Sequence, residues 1–412
     1  MTLALTSPTY DVTAVRAQFP ILARQVNGKP LAYLDNAASA HKPDAVIDAM
    51  AAFMRTSYAN VHRGLHTLAN EATEAFEDAR TVAASFLGAL SPDQIVFTRG
   101  ATEALNLVAN GLAPEFAPGD EVVLSVMEHH ANIVPWHFLR VERGVVLRWV
   151  GLTEDGGLDM AALADAIGPR TRVVALPHMS NVLGTVVDIP AVVALARSVG
   201  AVVVIDGCQG AVHAPVDVAS LGVDFYAASG HKLYGPTGIG LLYGRAEALE
   251  RLRPLQGGGE MIETVTQDHV TYAAPPQRFE AGTPAIVEAV GLAAALRWLM
   301  AHDRPALYAH EAALSARLER ELSLQNGVRL HGRAPGKGAI VTFSVEGAHP
   351  HDLAQLLDRY GVAIRAGHHC AQPLMRHLGV SATARASLAA YSTDAEVDQF
   401  LEALTRARRM LS

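Results

Sequence analysis

Seven short runs rich in β-branched residues punctuate the middle of the chain, and their alternation with helix-like segments narrows its possible folds more than any other feature. The runs are QIVFT (94–98), EVVLSV (121–126), VVLRWV (145–150), RVVALP (172–177), AVVVID (201–206), DFYAAS (224–229) and GIGLLYG (238–244). Stretches such as ATEALNLVANGL and DIPAVVALARSVG lie between them. This rhythm predicts βα units around a largely parallel sheet with helices on both faces. Ligands of such sheets bind beyond the carboxyl ends of the strands, so the residues just after each run carry most of the functional information.

Beyond about residue 295 the rhythm changes to a long helical stretch, GAIVTFSVEG, a helix through HDLAQLLDRYG, the short strand VAIRAG, TARASLAAY and a closing helix. The expectation is a large α/β domain over 33–295 and a smaller α+β domain over 296–412, with residues 1–32 packed on the latter. A formal charge of -8 over 412 residues argues against nucleic acid or an anionic membrane surface as partner. The apolar segment PAIVEAVGLAAALRWLMA contains Glu288 and Arg297 and reads as a buried helix, and the amino terminus does not read as a signal peptide. A cytoplasmic location is expected.

The strand ends supply a coherent set of groups. Asp206 closes AVVVID; Ser229, His231 and Lys232 cluster around Gly230 in the next turn; Gly100, Ala101 and Thr102 open a helix; His129 and His130 follow EVVLSV. Taken singly, each has an ordinary explanation: Asp206 as a turn or cap residue, Lys232 as a surface charge, Thr102 as a helix cap. Taken together they offer an amine for a Schiff base, an acid for a ring nitrogen, an anion cradle and a stacking ring, which are the four needs of pyridoxal 5'-phosphate. GPTGIG has G-x-x-G-x-G order and is a weak signal for the alternative of a nucleotide-binding or scaffold protein.

YLDNAASAHKP, NVHRGLHTLA, MEHHANIVPW, SNVLGTV, IDGCQGAVHAPVDV, SGHKLYGPTGIGLLYG, RFEAGTP and RAGHHCAQPLM occur in that order, and with them the chain resembles the group II (SufS-type) cysteine desulfurases of the class V aminotransferase group. The resemblance implies the fold type I architecture of pyridoxal-phosphate enzymes. It makes Lys232 the cofactor-bearing lysine, Asp206 the partner of the pyridine nitrogen, His129 the stacking ring and Gln209 a contact of the phenolic oxygen. Thr102, Ser229 and His231 fall on phosphate-binding positions, and Thr283 on one reached from the other subunit of a homodimer. Asn181 and Arg385 match residues holding the substrate carboxylate, and Cys370 matches the sulfur acceptor. Ala101 stands where many relatives have threonine, which removes one possible phosphate hydroxyl.

There are only two cysteines, Cys208 and Cys370, too few for a disulfide framework and without C-x-x-C spacing. Cys208 reads as a small buried hydrophobe. The RAGHHC segment around Cys370 has poor metal-ligand geometry, so no metal is expected; Gly367, the two histidines and Pro373 favour an exposed mobile loop instead. The implied reaction turns L-cysteine into L-alanine and leaves a persulfide on Cys370, for delivery through a SufE-like or SufU-like partner to iron-sulfur cluster assembly. Selenocysteine lyase and cysteine sulfinate desulfinase activities are the alternatives. Arg365, His368 and His369 are candidates for tuning the thiol, with Arg365 also a candidate for substrate binding.

Overall fold

The computed structural model describes residues 10–411; the first nine residues of the expected amino-terminal segment, and Ser412, lie outside the described residues. All seven anticipated runs form one sheet: β1 (Ile95–Thr98), β2 (Glu121–Ser125), β3 (Val146–Val150), β4 (Thr171–Pro177), β5 (Val202–Asp206), β6 (Phe225–Ser229) and β7 (Gly240–Gly244). Their spatial order is β1-β7-β6-β5-β4-β2-β3, with β7 antiparallel to both its neighbours and the remaining pairs parallel. Alternation along each strand divides the core. Val203 and Ile205 face one apolar layer while Val202 and Val204 face the other, and neighbouring strands keep the same parity. Burial on both faces explains why six of the runs are almost continuously apolar, whereas the edge strand β3 is largely exposed.

Helices α1 (Asp44–Thr56), α2 (Thr67–Leu87) and α3 (Ala101–Leu112) precede or interleave with these strands, and α4 (Ile286–Met300) packs against α1 and α2. Helix α4 is apolar around most of its circumference because it is enclosed; Gly291 lies so close to Met50 that an added Cβ would sit 2.6 Å from its sulfur. No helix among the described residues is long and apolar enough to cross a membrane. Arg80 of α2, 1 % exposed, donates to Glu280 at 2.6 Å and to the Ile95 carbonyl, while Glu280 accepts from the Phe97 N–H. This buried pair fastens the RFEAGTP segment to β1, the strand leading into the Gly100 turn.

The second sheet has four strands, β8 (Val328–His331), β9 (Ile340–Val345), β10 (Arg365–Gly367) and β11 (Thr383–Ser387), in the order β8-β9-β11-β10, all antiparallel. Strand β8 falls in a stretch with no sequence expectation: V-R-L-H alternates around two basic residues and is only partly buried. A separate apolar cluster unites this sheet with α5 (Asp394–Leu411). The described part of the amino-terminal segment joins both regions. Ala32–Tyr33 pairs in parallel with Val362–Ala363, and Arg16 bridges to Glu396, yet Phe19 stacks edge-on to Tyr234 and Trp298. The boundary expected at 295/296 falls inside α4.

Candidate active site

The carboxyl ends of β1, β2, β4, β5 and β6 and the strands β10 and β11 enclose a cleft of about 680 Å³. Thr102, His129, Asn181, Asp206, Ser229, His231, Lys232, Arg365, Cys370 and Arg385 all line it. Two of the expected residues do not: Gln209 is buried behind the wall with its Nε2 donating to the Ala37 carbonyl at 2.9 Å, and Thr283 is exposed elsewhere on the surface.

Local rules place each group. Gly100, at φ 151, turns β1 into α3 in a conformation that favours glycine. Strand β7 approaches so closely that a Cβ on Gly240 would lie 2.5 Å from Gly100 Cα. The Ala101 N–H at the start of α3 donates to Ser229 Oγ at 2.9 Å, so a hydroxyl and a helix amino terminus meet at one corner of the cleft. Strand parity puts Asp206 and Ser229 on the same face of the sheet. Cys208 donates its N–H to Asp206 Oδ1 at 3.0 Å; burial, assisted by Asp206, pushes its thiol up to about 12, in keeping with an inert buried thiol.

Burial and the charge of Lys232 push His129 down to about 4, so its imidazole is neutral. His129 Nδ1 accepts from the Ala131 N–H at 3.1 Å, which fixes the ring orientation. Its neighbour Glu128 had no expected role, although it stands in the MEHHAN motif. Fully buried, Glu128 accepts from Ser125 Oγ at 2.5 Å and from Asn132 Nδ2 at 2.8 Å, spanning the backbone turn that presents His129. Burial pushes its carboxyl up to about 8 against those hydrogen bonds, leaving it protonated at neutral pH. Glu128→Gln, a near-isostere of the neutral acid, is therefore expected to unfold within about 1 kcal/mol of the parent. Glu128→Ala strands two buried polar side chains and should cost about 2–4 kcal/mol, read from urea denaturation midpoints.

The opposite wall carries the cysteine. Expected as a mobile loop, it is a four-residue turn between β10 and the helix Gln372–His377. His369 and Cys370 adopt φ of 52° and 55°, the left-handed region that side chains seldom occupy, at a cost of order 1–3 kcal/mol each. Hydrogen bonds hold the turn: Asn181 Nδ2 to the His369 carbonyl at 2.9 Å, His130 N–H to the Cys370 carbonyl at 2.7 Å, and His369 Nε2 to Thr383 Oγ1 at 3.0 Å. The Cys370 thiol is left exposed at the cleft mouth.

The two histidines divide. Burial, with Arg385 adding to it, pushes His369 down to about 3, so it is a neutral anchor and no proton donor. His368 is exposed and its Nδ1 accepts from the Cys370 N–H at 3.1 Å. Arg365 and Arg385 line the same cleft as Cys370. Arg385, 2 % exposed, donates to the Asn181 carbonyl at 2.6 Å, and its Nε has no partner among the described residues. Among the described residues no three His, Cys, Asp or Glu side chains converge as a cation site.

A fold of this kind, with an amine, a buried acid and an anion cradle at the strand ends, defines a class. The aminotransferase class-V family model matches residues 32–400, and the chain belongs to that family. Within it, the chain is 48 % identical over 405 residues to the cysteine desulfurase of Pectobacterium atrosepticum, covering 98 % of this chain and 99 % of the relative. The Escherichia coli cysteine desulfurase CsdA, solved in an S-sulfonic acid form, superposes with a TM-score of 0.92 at 42 % identity, covering 98 % of this chain and 100 % of that one. A more distant solved structure, a C-DES variant with glycine covalently linked to its PLP cofactor, gives a TM-score of 0.81 at 25 % identity, with 94 % and 98 % covered.

Proposed function

We propose that the chain is a pyridoxal-phosphate-dependent cysteine desulfurase that converts L-cysteine to L-alanine and collects the sulfur on Cys370 as a persulfide. The observation that carries this reading is the exposed Cys370 thiol on the wall opposite Lys232 in a single cleft.

The donor set suits the cofactor. Asp206 offers a carboxylate to the pyridine nitrogen, His129 a neutral ring to stack, and Lys232 an amine for the aldehyde. Thr102, Ser229 and His231, with the α3 amino terminus, offer hydroxyl, imidazole and N–H groups to the phosphate. Gln209, whose Nε2 donates to the carbonyl of the cleft-lining Ala37, would turn its second N–H to the phenolic oxygen. Thr283 is outside its own cleft and exposed, which suits a role toward the cofactor of a second copy in a homodimer. When bound, the cofactor supplies an electron sink for bonds at the substrate's Cα and Cβ.

The protein's own residues do the rest. Arg385 and Asn181 hold the substrate carboxylate, and Arg365 adds positive charge at the same wall. Lys232 Nζ accepts the proton from substrate Cα. The Cys370 thiolate attacks substrate Sγ; the new S–S bond forms as the substrate Cβ–Sγ bond breaks, and a proton delivered to Cβ together with the proton returned from Lys232 Nζ to Cα completes alanine. Residues 33–295 thus hold the cofactor and 296–412 bring the nucleophile. The exposure of Cys370 suits transfer of its outer sulfur to a SufE-like or SufU-like acceptor in the cytoplasm, for iron-sulfur cluster assembly.

Product analysis tests the reading. Holoenzyme given L-cysteine and a thiol reductant is expected to release alanine and sulfide in equal amounts; turnover without alanine would sink it.

A further inference from the structure

Asp35 lies in the YLDNAAS segment, more than three hundred residues away in sequence from the arginines it meets. A parallel bridge between Asp35 and Ser387 seats it beside β11. Arg365 and Arg385 are direct register partners across β10 and β11, so their side chains emerge on one face. The Asp35 carboxylate accepts from both. Arg365 gives it a fork, Nε at 3.1 Å to Oδ1 and Nη2 at 2.8 Å to Oδ2, whereas Arg385 reaches it with a single long bond of 3.4 Å.

Among the described residues Asp35 is the only carboxylate paired with either arginine. Two guanidinium groups and one carboxylate leave the wall with one uncompensated positive charge. Its weakest link is the bond to Arg385, the more deeply buried cation and the one with an N–H unpartnered among the described residues. Burial draws Arg385 down to about 10, and Asp35 opposes that pull.

We infer that Asp35 is a placeholder counter-ion: it orients and neutralises Arg385 while the cleft is empty, then yields it to an incoming carboxylate while remaining forked to Arg365. In this role Asp35 is a positioning residue that sets how tightly the site takes the α-carboxylate of an amino acid. Full commitment to Arg385 would shut the carboxylate out, and complete absence would leave two facing cations to capture any small anion.

The inference rests on Arg385 as the carboxylate-holding residue, but its test needs no turnover. Acetate binding to the holoenzyme is titrated by calorimetry for the parent and for Asp35→Asn and Asp35→Ser. Removing a competing charge within hydrogen-bond reach should tighten acetate roughly tenfold. The double variant Asp35→Asn with Arg385→Gln should lose that gain. Equal or weaker acetate binding by a variant with the parent's melting temperature and visible spectrum overturns the role. So does a failure of both variants to fold, which assigns Asp35 to the architecture instead. A tenfold gain in a protein that releases no alanine from cysteine supports the placeholder and refutes only the desulfurase reading.

Discussion

Replacing Lys232 with alanine is expected to give a folded protein that carries no covalently attached cofactor and turns over L-cysteine at least about 10³-fold more slowly. The side chain lies in the cleft, at the end of the short turn Gly230–Lys232, and no apolar cluster includes it, so the fold should survive. The loss is chemical: both the amine that attaches the cofactor and the base for substrate Cα go with one atom. A second readout separates this from a structural defect. Burial is the main cause of the depressed pKa of His129 and of His231, and the Lys232 charge is the next. Removing that charge should raise both imidazoles, while burial keeps them below their ordinary value. Titration of the ring protons by NMR in the cofactor-free parent and variant checks the sign; unchanged imidazoles would mean that Lys232 does not face them.

The parts of this site that the sequence discloses are those created by local regularity. β-Branched runs, six of them buried on both faces, can be recognised in one dimension, so seven strands and the groups at their ends, Asp206, Ser229 and Lys232 among them, follow directly. The helix start at Gly100–Thr102 is equally local. Strand β8 escapes because its partly buried V-R-L-H carries too little apolar signal. What remains hidden is pairwise and remote. Asp35 meets Arg365 only because Ala32–Tyr33 adds to Val362–Ala363, and no spacing rule connects them. Glu128 is hidden for a different reason: an acid beside two histidines reads as solvated charge until its complete burial is known.

The same distinction governs the cysteine turn. Glycine, two histidines and a following proline suggest an exposed loop, and the thiol is indeed exposed. Yet the turn is pinned on three sides, by Asn181, His130 and Thr383, and only the fold brings those anchors together. Two successive left-handed residues are strained in isolation and persist because the anchors over-determine them. Such a turn aims the sulfur in advance, so less ordering is needed when substrate arrives.

Cys370→Ala is the complementary expectation. The variant should keep the parent's visible cofactor spectrum and unfold within about 0.5 kcal/mol of it, since the thiol is exposed and alanine is no worse than cysteine in the left-handed region. Desulfuration of cysteine should fall at least about 10²-fold, because the nucleophile that receives the sulfur is gone while the cofactor pocket, built from β1, β2, β5 and β6, is untouched. Mass spectrometry supplies the direct measurement. After L-cysteine and without reductant, the parent's peptide containing Cys370 should gain the mass of one sulfur atom, and the buried Cys208 peptide should not. Selenocysteine gives the discriminating arm. Its selenium does not strictly require a protein thiol, so Cys370→Ala should retain selenocysteine turnover while losing that of cysteine. Equal loss of cofactor from the Lys232 and Cys370 variants would mean that the two walls of the cleft do not divide the work, because a cysteine that only accepts sulfur has no part in holding the cofactor.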